Sequence, residues 1–133
     1  MRGRTRLSLL VTVCLSFQPA WAETALEVQS WCKRTSEALV LANGSINLGA
    51  SFNDGFCWGA FAAIQDFSRH VNSEKQRLLN ICTPPGSTRL VLIKVFMRYA
   101  DQHPQALVGD FAFVVQAALG EAFPCGAADG YRR

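Results

Sequence analysis

Residues 81–125 read ICTPPGSTRLVLIKVFMRYADQHPQALVGDFAFVVQAALGEAFPC, two helical patterns joined by a short hinge and bracketed by Cys82 and Cys125. Pro84, Pro85 and Gly86 form a turn, after which the hydroxyl of Ser87 or Thr88 can cap a helix by accepting a backbone N–H bond. Nearly every position from Leu90 to Ala100 is apolar. Lys94, Arg98 and Asp101 are the exceptions, and their i, i+4, i+7 spacing puts them on one thin stripe. A helix with one narrow wet stripe is packed on several sides, which makes this the central helix of its fold. Asp101-Gln102-His103-Pro104 stops it, because the residue before proline is driven out of the helical region. Pro104 suits the first turn of a second helix, where its missing N–H costs nothing. That helix carries Leu107, Phe111, Val114, Val115, Ala118, Leu119 and Ala122 on one face, with Asp110, Ala117 and Glu121 opposite. In such a hairpin the start of one helix lies beside the end of the other, so Cys82 is expected to meet Cys125.

Upstream, Met1 to Ala22 reads as a cleaved signal peptide. Arg2, Arg4 and Arg6 form its basic region, Leu7 to Phe17 its apolar stretch, and Ala20-Trp21-Ala22 an A-x-A cleavage site. The apolar stretch is about 11 residues, against the ~20 that span a bilayer, so no membrane attachment is expected after cleavage. Three of the 13 basic residues fall in this segment, leaving ten against ten acidic residues in the 111 that follow. A chain with zero formal charge and no basic run beyond Lys33-Arg34 and Arg132-Arg133 gives no support to nucleic-acid binding. The expected organisation is a signal at 1–22, one helical domain at 23–125 and a flexible tail at 126–133.

Four cysteines remain after cleavage: Cys32, Cys57, Cys82 and Cys125. An even number behind a signal peptide reads as two disulfides formed in an oxidising compartment. With Cys82 assigned to Cys125, Cys32 pairs with Cys57. No two cysteines stand in C-x-x-C spacing and both histidines are distant from them in sequence, so no metal and no other cofactor is expected. A first helix is expected over about Thr24–Leu41, burying Leu26, Trp31, Cys32, Ala38, Leu39 and Leu41, and ended by Gly44 as a left-handed cap. A second is capped by Asn53 or Asp54 and buries Cys57, Phe61, Ile64 and Phe67 or Ser68, with Gly55 and Gly59 leaving a smooth strip for a close neighbour. The class is therefore all-α, a compact bundle of four to five helices stapled by two disulfides.

Catalysis finds no constellation. His70 ends the second helix and His103 sits in the hinge, where a histidine ordinarily satisfies terminal carbonyls. Asp66, Asp101 and Asp110 are scattered carboxylates on outer faces. Pro84-Pro85-Gly86-Ser87 lacks the lysine and the spacing of a phosphate loop. The chain is not expected to be an enzyme.

Several motifs stand in a telling order: Cys57-Trp58-Gly59-Ala60-Phe61 opening a helix, Ile81-Cys82-Thr83-Pro84-Pro85-Gly86-Ser87-Thr88, Tyr99 with His103-Pro104, and Ala118-Leu119 with Glu121-Ala122-Phe123-Pro124-Cys125. The sequence resembles the Rap/Tai family of immunity proteins over residues 57–125, with Cys32 as an upstream anchor. Where the family commonly has Gly-Tyr after the cysteine that opens the second helix, this chain has Trp58-Gly59-Ala60. The resemblance implies a periplasmic all-helical homodimer that binds a type VI secretion amidase effector, a peptidoglycan-cleaving toxin, and blocks its cleft. Contact positions vary in the family, so none carries over by motif. A blocker needs a protruding polar segment on a rigid scaffold, and two segments qualify. One is the loop 72–80, with Glu74, Lys75 and Arg77. The other is the hinge, with Asp101, Gln102 and His103. The alternatives are a periplasmic helical binding module of the same fold without a toxin partner, and a small apolar-ligand carrier, suggested by the apolar 90–100 helix.

Overall fold

The computed structural model describes residues 23–126. The signal peptide read at 1–22 lies outside them, as does the tail beyond Gly126. Four α-helices, α1 (Ala25–Ser36), α2 (Phe52–Phe67), α3 (Arg89–Gln102) and α4 (Phe111–Ala122), follow one another, with a 3-10 turn at Pro104–Val108 between the last two. The all-α bundle expected from the sequence is the fold. Both disulfides are those expected, Cys32–Cys57 and Cys82–Cys125.

α3 is the central helix. Leu90, Leu92, Ile93, Phe96 and Ala100 are buried, and Lys94, Arg98 and Asp101 lie on the exposed stripe. Thr88 is its cap, accepting from the Val91 N–H at 3.4 Å. Most of its apolar residues are buried or half-buried within one chain, with Val91 exposed, so α3 offers little of the apolar surface that suggested a ligand carrier. Phe61 of α2, Phe96 of α3 and Phe111 of α4 meet in a triangle with centroids 5.5 to 5.8 Å apart. Such tilted and edge-on aromatic contacts add about 0.5–1.5 kcal/mol each beyond area burial. α1 lies against all three other helices and contributes buried Ala25, Val28, Cys32 and Thr35.

Three boundaries differ from expectation. α1 ends at Ser36, not Leu41. Asn43-Gly44 forms a hairpin turn instead of a helix stop: Val40 bridges Ile46, Leu41 N–H donates to Ser45 O at 2.8 Å, and Gly44 takes φ +79°. Asn-Gly is among the strongest short hairpin signals, and here it outweighs the apolar spacing of residues 39–41. Leu39 and Leu41 are exposed in consequence, as is Leu26, because α1 turns Ala25, Val28 and Cys32 inward. α2 is capped by Ser51, with Asp54 at its third position. α4 begins at Phe111, since Gly109 is extended and the Phe111 N–H donates to Glu23 O at 3.0 Å, tying the start of α4 to that of α1. The Cys82–Cys125 closure is made by the segment ahead of α3. Ile81 bridges Pro124, and Cys82 N–H donates to Phe123 O at 2.9 Å.

Candidate partner-binding surface

The polar segment 72–80 is a tight turn fixed to the end of α2. Val71 bridges Arg77, and the Asn72 N–H donates to Gln76 O at 2.9 Å. Asn72 Oδ1 accepts from the Glu74 and Gln76 N–H groups at 3.0 and 2.9 Å, the short-range bonding that makes asparagine a turn former. Lys75 sits in the left-handed region at φ 63°. Glu74 and Lys75 therefore occupy an exposed, internally hydrogen-bonded tip. Arg77 is exposed too, but one Nη donates to Ser68 O at 3.1 Å, which satisfies a carbonyl at the C-terminus of α2. His70 does the same with Asp66 O, at 2.8 Å from its Nδ1.

The hinge presents a second polar edge. Asp101 and Gln102 are exposed in the last turn of α3, and Asp101 Oδ1 accepts from Gln29 Nε2 of α1 at 3.3 Å. His103 is half-buried with its ring centroid 4.2 Å from that of Tyr99 and tilted 34° to it, a ring contact instead of a side-chain carbonyl cap. No hydrogen bond or ring contact among the described residues joins the hinge to the 72–80 turn. They stand as two separate edges.

Sequence reasoning missed three other features. The 39–47 hairpin exposes Leu39 (72 %) and Val40 (60 %) on a short loop, for which Asn43-Gly44 was the available signal. A cleft of about 250 Å³ lies between α2 and α4, lined almost entirely by apolar side chains including Ile64, Phe67, Ile81, Phe111 and Phe113. No local pattern encodes it, because it exists where two helices fail to pack. The third is the tie between α1 and α2. Arg34 makes a two-pronged ion pair with Asp54, through Nε to Oδ1 at 3.0 Å and through Nη2 to Oδ2. Asp54 also closes a reciprocal capping box with Ser51 and accepts from Thr35 Oγ1 at 3.3 Å. The Arg34 guanidinium, followed by the Ser51 bonds, holds the Asp54 carboxyl far below the usual carboxylate range. The Arg34 side chain is 63 % exposed whereas that of Asp54 is 2 % exposed, so the tie faces water only through its cation. Both carboxylate oxygens of Asp54 and the Nε and Nη2 groups of Arg34 have partners within the chain, which makes this a structural lock.

Among the described residues no three His, Cys, Asp or Glu side chains are placed to hold a metal ion, and Asp66, Asp101 and Asp110 are exposed on different elements. No described helix is long and apolar enough to cross a membrane. No curated protein and no solved structure matches the chain. The family model of the Rap1a immunity proteins matches residues 24–125, from the cap of α1 to the last disulfide cysteine. The chain belongs to the Rap1a immunity proteins.

Proposed function

We propose that this protein is a periplasmic immunity protein that binds a type VI secretion peptidoglycan amidase effector and inhibits it, with no turnover of its own. Membership of the immunity family over residues 24–125 is the observation that carries the reading. The two disulfides support an oxidising compartment, reached through cleavage of the signal at 1–22. The mature chain then consists of the 23–125 domain and the 126–133 tail. The turn with Glu74, Lys75 and Arg77 and the hinge with Asp101, Gln102 and His103 supply polar, exposed contacts on backbone that is already ordered. Pre-ordering keeps the entropic cost of docking low. The homodimer uses the outer face of α2, where Gly55 and Gly59 have open space at their Cβ positions and Phe52 and Phe67 are exposed at the two ends.

The test mixes the disulfide-bonded chain with the secreted amidase encoded beside it and follows muropeptide cleavage. Stoichiometric inhibition is expected, and full amidase activity at a several-fold excess would remove the reading. Inhibition that survives alanine replacement of all six polar residues would keep the function and discard both edges. The cleft between α2 and α4 favours a second reading, a carrier of a small apolar ligand. Lipid or another apolar molecule co-purifying with the chain would select it.

A further inference from the structure

Arg89 differs from Arg34 and Arg77. Arg34 is spent on Asp54, and Arg77 on a helix-end carbonyl. Arg89, the first residue of α3, lies with its guanidinium carbon 4.6 Å from the ring centroid of Trp58 on α2. The residue is half-buried. Its Nε is fully buried and has no acceptor. The two Nη groups also have no acceptor among the described residues, and unlike Nε they are not fully buried. The guanidinium is thus held over an indole face, which limits its rotamer freedom.

The local charge is uncompensated as well. Glu27 and Asp54 stand in the first turns of α1 and α2, where a negative group complements the helix dipole. The first turn of α3 has no acidic residue, and a cation occupies it. A cation held on an aromatic platform, without an acceptor among the described residues, is the kind of anchor that dominates protein interfaces, where arginine and tryptophan are enriched among the residues that carry binding energy. A planar guanidinium pairs best with a carboxylate, which matches its fork through parallel hydrogen bonds.

We propose that the Trp58–Arg89 stack, at the junction of α2 and the start of α3, is a docking anchor that receives an aspartate or glutamate side chain of the effector. The inference rests on the immunity reading and adds a contact outside the two polar edges named above.

The experiment titrates the disulfide-bonded chain and its Arg89→Gln and Arg89→Lys variants with the amidase encoded beside it, at about 50 and 300 mM salt. Arg89→Gln is expected to bind at least tenfold more weakly. Arg89→Lys is expected to lose several-fold, because an ammonium keeps the charge but not the planar fork. Wild-type affinity falls with salt more steeply than that of Arg89→Gln. Melting of the free Arg89→Gln chain changes little, since loss of the contact with Trp58 is offset by removal of a cation from a helix N-terminus; a large drop in melting that accompanies weaker binding would mark a structural arginine and overturn the anchor. Binding of Arg89→Gln within twofold of wild type overturns the anchor and leaves the immunity reading standing. Failure of the wild-type chain to bind the amidase overturns both.

Discussion

α1 and α2 each begin with a reciprocal capping box, Thr24 with Glu27 and Ser51 with Asp54, whereas α3 begins with the single Thr88 bond and α4 with no side-chain cap. The first pair is further joined by the Arg34–Asp54 ion pair and by a disulfide whose cysteines are both buried. The second pair supplies most of the core: five buried positions from α3 and four from α4. Its disulfide is half-exposed and backed only by the short Ile81–Pro124 bridge. One half is therefore held by directional polar bonds that depend on charge, the other by packing that does not. The contrast follows from sequence: mean burial on α3 and α4 is high because their apolar residues recur at helical spacing, while α1 is polar on three sides and needs specific ties.

The largest expected effect tests the packed half. Phe96 is fully buried and touches both Phe61 and Phe111. Phe96→Ala removes the middle of that triangle and is expected to cost about 4 kcal/mol, the loss of transfer energy plus a cavity that three helices cannot collapse into. Because no charge is involved, the loss measured by urea unfolding should be the same at pH 3 and pH 7. A cost that changes with pH would break the division between the halves.

A smaller effect tests the tied half. A Cβ at Gly49 would collide with the Asp54 carboxylate and with the Arg34 guanidinium. Gly49→Ala is therefore expected to cost about 2 kcal/mol, as overfilling does in a fixed site. Its pH dependence follows from Asp54, whose folded carboxyl titrates far below the ordinary value because of Arg34 first and Ser51 second. A depressed folded pKa gives stability that is present above the unfolded value near 4 and is lost as pH falls through the folded one. The wild type should thus lose stability progressively below about pH 4. The Gly49→Ala variant should lose less over the same range, so the two unfolding curves converge in acid. A constant gap between them would show that the collision is relieved without touching the lock.

The same contrast explains what could be read from sequence. The wet stripe of α3 was legible because Lys94, Arg98 and Asp101 repeat at the helical period in an otherwise apolar run. The disulfide pairing was legible because two helical segments joined by a short hinge bring Cys82 and Cys125 to one end. Residues 72–80 read as a polar connection and are a turn, since Asn72 bonds locally. The Arg34–Asp54 tie was not legible: its partners are 20 residues apart, on helices whose rotation about their axes no periodicity fixes. Nor was the cleft between α2 and α4, which depends on an absence of packing. The stack of Arg89 on Trp58 joins residues 31 positions apart and was likewise invisible, although Trp58 had been marked as a departure from the family's usual motif.

The smallest expected effect compares the two kinds of cap directly. Thr24 Oγ1 accepts from the Glu27 N–H at 3.3 Å, and Glu27 Oε2 accepts in return from the Thr24 N–H at 2.9 Å. Thr88 makes one long bond of 3.4 Å to the Val91 N–H. Thr24→Ala should cost about 1 kcal/mol and Thr88→Ala about half that, within the range of threonine cap replacements. The Glu27 carboxyl is lowered by its bonds to Thr24, backbone first and then side chain. Its contribution is present above the unfolded carboxylate value and fades as pH falls through the lowered one. Part of the Thr24→Ala cost should therefore disappear in acid, while that of Thr88→Ala, whose cap involves no ionisable group, should not change. Urea midpoints at pH 3 and pH 7, taken with unchanged m-values, separate the two. Equal losses at both pH values for Thr24→Ala would mean that the box is held by the hydroxyl alone, and that the polar half of the molecule owes its charge dependence to Asp54.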